Sequence, residues 1–190
     1  KEVGGLKEAI KGLKTAAAGA ALGAGALAAA YQATVGQTIK YAKEVRDLGR
    51  NIGATSEETS RLIQVADDYQ ISSGELSGAL EMAVKRGFKP SIESIAELSD
   101  QYKSIQDPIE RANVLSEKFG KGWTTLTPLL EQGGDAIRSQ SAAIDEHLIL
   151  TQQEIDAARD HEIMLDNLGA RWPAFTLQLG NAAIPVLNDA

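Results

Sequence analysis

The chain has 190 residues, of which 43% are hydrophobic but only 5% aromatic; it has no cysteine and a formal net charge of -7. That length suffices for one or two packed domains, and the missing cysteines exclude disulfide staples and thiolate metal sites. Charge is uneven: 1–50 carry eight Lys/Arg against four Asp/Glu, and 51–190 carry eleven against twenty-two. The acidic part would repel phosphates rather than release their counterions, which argues against a specific nucleic-acid partner.

At the start of the chain, Leu6, Ile10 and Leu13 share one helical face and Lys7, Lys11 and Lys14 another, so 1–14 is expected to be a short basic amphipathic helix. Thr15 to Ile39 has no charged residue and is dominated by AAAGAALGAGALAAA. It is long enough to cross a bilayer, which needs roughly 20 apolar residues. Alanine and glycine gain little from lipid, however, and Gln32, Thr34 and Gln37 make its end polar. Gly19 and Gly23, with Ala21 and Gly25 repeating the spacing, form a small-residue face suited to close helix packing or a membrane. The segment 15–49 is read as one helical stretch running into a charged end.

Beyond Gly49 the chain turns to short helices with explicit starts, expected to form one capped domain over 50–150. Thr55 with Glu58, Ser72 with Glu75, Asp107 with Glu110 and Thr151 with Glu154 have capping-box spacing. Apolar faces follow at Leu62, Val65, Ala66 and Tyr69; at Leu76, Leu80 and Val84; and at Ile92, Ile95, Ala96, Leu98 and Tyr102. Gly87 followed by Pro90 is a helix stop. Gly120 and Gly122 are expected to end another helix, and Pro128 marks a helix start or a kink. Gly133-Gly134 breaks the chain before Asp135, read as an N-cap. A last helix, 151–190 with its entry, shows apolar Ile155, Ala158, Ile163, Leu165 and Leu168, a break at Trp172-Pro173 and an apolar continuation. No alternating strand pattern persists, so the fold class is all-α.

The stretch FGKGWTTLTPLLEQGGDAIR, Phe119 to Arg138, together with NIGATSEETSRLIQVADDYQISSGELSGALEMAVK before it and LTQQEIDAARDHEIMLDNL after it, resembles phage tail tape-measure proteins. The similarity runs from about Ile52 to Leu187. Phe119, Gly120, Leu126, Pro128, Leu129, Leu130, Gly133 and Ile137 fall in the matching places. The resemblance implies a structural virion component that lies in the tail tube, sets tail length during assembly and leaves through the tip at infection. It implies as partners the tube and tip proteins, copies of the chain itself, three or six being favoured, and the host membrane through 15–39. Localisation would be the virion tail, then the host envelope at infection. Abundant caps, glycines and prolines depart from the long rod a ruler needs, so the ruler is expected elsewhere in a longer parent chain, of which this is read as a fragment.

Residues with chemical potential have ordinary explanations. His161-Glu162 begins like HExxH, but position 165 is leucine, and His147 lies fourteen residues away, so no metal site is expected. Gly120 to Thr124 lacks the P-loop frame. The pairs Glu57-Glu58, Asp67-Asp68 and Asp145-Glu146 point about 100° apart on a helix and read as charged surface. Tape-measure proteins can carry a peptidoglycan-cleaving domain, but the glutamate and glycine–glutamine motif of lytic transglycosylases is missing. No catalytic residue, cofactor or enzyme activity is expected. Two other readings compete: a membrane-active or pore-forming helical protein inserting 15–39, and an exported protein with Ala28 to Ala30 as a cleavage site. Glu2, Glu8 and the glycine-heavy centre of the run weigh against export.

Overall fold

The structure, a computed structural model, describes residues 35–167. The basic helix expected over 1–14, most of the uncharged run, and everything beyond Asn167 lie outside the described residues. Seven α-helices follow in order: α1 Gln37–Ile52, α2 Ser56–Asp67, α3 Ser73–Lys85, α4 Ile92–Ser104, α5 Pro108–Phe119, α6 Trp123–Leu130 and α7 Gly134–Ala143. Short 3-10 turns occupy Gly120–Gly122 and Glu146–Leu148. A further helix, α8, covers 152–167. The described residues contain no strand, and the fold is all-α.

Local chemistry sets most of the starts, with instructive departures. Ser72 and Glu75 form the full capping box of α3, and Thr151 and Glu154 that of α8. Thr55 accepts from the Glu58 N–H, but the Glu58 carboxylate is taken by the Ile92 N–H at the start of α4. A long-range donor thus replaces the return half of that box. Asp107 caps α5 through the Ile109 N–H at 2.8 Å, with Pro108 at the first helical position, so Glu110 closes no box there. Ser91 and Ser94 make a reciprocal box for α4 that the sequence reading, seeking Glu or Gln at the third position, did not anticipate. Pro128 lies inside α6, five residues after its first. Gly87 has φ +85 directly after the end of α3, as the stop signal required.

One hydrophobic cluster runs from Ala42 to Ile155 and joins α1 through α8. α1 contributes Ala42, Val45, Leu48 and Ile52 from one face, and these meet α2 and α3. The α1–α2 crossing is tight: a Cβ on Gly49 would stand 2.9 Å from Thr59 Oγ1. α3 also packs on α5, α6 and the Gly120–Gly122 turn, while α4 packs on α6 and most extensively on α7. Most of the core side chains are aliphatic, and burial stabilises by roughly 1.5–3 kcal/mol for each Leu or Ile. No helix among the described residues is long and apolar enough to cross a membrane.

Candidate functional site

The residues singled out in the Phe119–Ile137 block divide into packing and turning roles. Phe119, Leu126, Leu130 and Ile137 are fully buried, Leu129 nearly so, and all five belong to the single core. Phe119 meets Phe88 with ring centroids 5.3 Å apart and planes tilted by 60°, a favourable aromatic geometry. Gly120 ends α5 at φ +59, ψ -141, a region that side chains with a Cβ resist. Beside it, the Arg86 guanidinium donates 2.6 Å hydrogen bonds to the Ser116 and Glu117 carbonyls, closing the C-terminal end of α5. Pro128 is exposed on α6.

Gly133 adopts φ +95, ψ 152, a conformation essentially reserved for glycine. This places Gly133, not Asp135, at the N-cap of α7; Asp135 lies in the first turn. The orphan N–H groups are instead satisfied from α4: Ser99 Oγ accepts from Gly133 N–H at 2.9 Å and Asp100 from Gly134 N–H at 2.7 Å. Ser99 itself donates to the Leu130 carbonyl at 2.7 Å. The approach is so close that a Cβ on Gly134 would overlap the Asp100 carboxylate and lie 2.8 Å from the Ala96 carbonyl oxygen.

Outside this joint, Arg138 of α7 holds Glu93 of α4 through Nη2 at 2.7 Å and lies 3.2 Å from Asp135 and 3.6 Å from Asp100. The Arg138 hydrogen bond keeps the Glu93 carboxyl below its ordinary range, and the carboxylate reciprocally raises the guanidinium. The Ser72 hydroxyl, then its backbone N–H, lowers Glu75 in the same way. Burial pushes the Tyr41 phenol up, while its hydroxyl donates to the Leu148 carbonyl at 2.7 Å.

The carboxylate pairs serve as structural acceptors. Glu58 receives Ile92 N–H, Asp68 receives Gln140 Nε2, and Asp145 receives the His147 N–H at 2.9 Å. His147 stands in the exposed Glu146–Leu148 turn, and His161 is half-buried on α8. Among the described residues no three His, Cys, Asp or Glu side chains group as metal ligands. The glycine-rich Gly120–Gly122 segment is a 3-10 turn into α6, not a strand-to-helix phosphate loop.

Open grooves lie elsewhere on the described residues. One, of about 490 Å³, is lined by Ile52, Gly53, Val84, Gly87, Phe88, Lys89 and Pro90. A second, of about 290 Å³, is lined by Arg46, Arg50, Arg159, Glu162, Ile163 and Asp166. The second brings α1 and α8 together across more than one hundred residues of sequence, and no local spacing signals it. Gly19, Ala21, Gly23 and Gly25 lie outside the described residues. No protein-family model matches the chain, and neither does any curated protein or solved structure.

Proposed function

We propose that the chain is a structural, non-catalytic helical section of a phage tail tape-measure protein. In this reading it packs within the tail tube, works through contacts with tube and tip proteins and with copies of itself, and leaves through the tip at infection. The single observation that carries the reading is the ordered resemblance around Phe119 to Arg138. The residues of that block are packing and turn residues, which suits a structural element: Phe119, Leu126, Leu129, Leu130 and Ile137 fill the core, and Gly120 and Gly133 turn the chain. The test is peptide mass spectrometry of purified tails from the phage that encodes the chain, combined with deletion of 55–150 from the parent gene. Peptides of the chain in wild-type tails, and tails that fail to assemble or change in length on deletion, are expected. Tails of normal length that lack these peptides would overturn the reading. Purified chain is also expected to leave a peptidoglycan suspension no clearer than a heat-killed control does.

A second reading, a membrane-active protein inserting 15–39, is favoured by the uncharged run from Thr15 to Ile39. It requires dye release from vesicles that disappears when 15–34 are deleted; equal release by the deleted chain would remove it.

A further inference from the structure

Along α8, charge and apolar surface are arranged in a way that the other described residues of a single copy leave unanswered. Ser56 Oγ donates to Gln152 at 2.8 Å, just past the C-terminal end of α1, while Glu162 lies 3.8 Å from Lys43 and 3.9 Å from Arg46 in the middle of α1. α8 therefore runs back antiparallel to α1. Ile155 and Ala158 face the core, and Arg159, Ile163 and Asp166 line the groove beside Arg46 and Arg50. These three residues have the i, i+4, i+7 spacing of a single helical face. Ile163 remains 47% exposed at the centre of the stripe. Glu162 pairs with Lys43 and Arg46, whereas Arg50, Arg159 and Asp166 have no ion-pair partner among the described residues.

The stripe thus reads cation, aliphatic, anion, with Arg159 one turn before Ile163 and Asp166 about one turn after it. Reversing its direction exchanges the signs. We propose that this face is the contact of a homodimer in which α8 of two copies lies antiparallel, Ile163 against Ile163 and each Arg159 opposite the partner's Asp166, with Arg50 beside the same carboxylate. Such a contact is isologous, as a two-fold dimer requires. A parallel alignment would oppose like charges and is disfavoured. A foreign acidic helix would answer Arg50 and Arg159 but be repelled by Asp166 and Glu162, whereas a second copy answers both signs. A 16-residue helix is roughly 24 Å long, and one such stripe is smaller than the roughly 800 Å² per partner of standard stable interfaces. The dimer is therefore concentration-dependent, and its exposed ion pairs make it salt-sensitive. This inference stands independently of the tail reading.

The test is sedimentation velocity of the full chain over a wide concentration range at low and high salt, with Arg159→Glu, Asp166→Arg and the double swap alongside. The wild type is expected to pass from 20.1 kDa toward twice that mass, less readily at high salt. Each single reversal places like charges across the dyad and should weaken association at least tenfold. The double swap restores opposite signs at positions 159 and 166, leaving only Arg50 beside a like charge, and should regain most of it, with helicity by circular dichroism unchanged in all three variants. A wild type that stays monomeric throughout, association indifferent to the single reversals, or a double swap as weak as the singles would each overturn the proposal.

Discussion

At the α4–α7 joint, backbones approach so closely that only hydrogen fits at Gly134, and the first N–H groups of α7 are satisfied by Ser99 and Asp100 of another helix. Along α8, by contrast, Ile155 enters the core, but residues 163–167 are exposed, Met164 to 65%. The joint is closed by long-range contacts within one copy. α8 starts on its own capping box, is tied to α1 near its far end only through Glu162, and presents its stripe outward. Rigidity thus concentrates where side chains reach across the fold, while surface open to a second molecule is left where a helix outruns its core.

The sharpest way to break the contrast is Gly134→Ala. The added methyl meets the Asp100 carboxylate and the Ala96 carbonyl, so the variant should lose up to about 3 kcal/mol by overpacking, read as a lower urea midpoint for the whole cluster. Asp100→Ala removes the acceptor for Gly134 N–H and should cost about 1 kcal/mol, as cap removals do. Thr151→Ala removes a comparable cap from α8, also about 1 kcal/mol locally. Its effect should appear as faster amide exchange over 152–167 with little change in the global midpoint; a fall of the global midpoint as large as that of Asp100→Ala would erase the distinction.

Acid provides a graded version. The folded-state values of Glu93 and Glu75 are depressed, by the Arg138 and Ser72 hydrogen bonds respectively. The unfolded chain therefore binds protons first as pH falls, and the stability these groups contribute is present above the ordinary value of 4.5. It is lost as pH falls through the depressed values. Glu93→Gln should flatten that decline, seen as a smaller loss of thermal midpoint between neutral and acid pH. The smallest effect is expected at Gln70, the only non-glycine among the described residues with positive φ, at 60. Gln70→Gly relieves that conformation and should shift stability by no more than about 1 kcal/mol.

Elements encoded by near neighbours were legible in the sequence. The boxes Ser72–Glu75 and Thr151–Glu154, the Gly87 and Gly120 stops and the apolar faces of α2, α3 and α4 all depend on residues within a turn or two of each other. Failures came where a distant group competes for the same atom. Glu58 turns to Ile92 instead of Thr55, and Ser99 and Asp100 take the Gly133 and Gly134 N–H groups, so that α7 starts before Asp135. The exposed placement of Ile163 and Leu165 has a different origin: their spacing continues an apolar pattern, but the core ends near Ala158. The α1–α8 groove was invisible for a stronger reason, since Arg50 and Arg159 are ordinary surface cations until the tertiary fold brings them together.

Native-state hydrogen exchange of the full chain, resolved by segment, tests most directly the claim that one core spans α1 to the first turns of α8 and is locked at the α4–α7 joint. The slowest amides should lie in α4, α6 and α7 and exchange together, through global unfolding, while amides over 160–167 exchange through local opening that speeds further in Thr151→Ala. Independent opening of α7 from α4, or protection over 160–167 equal to that of α4 at concentrations where the chain is monomeric, would contradict it.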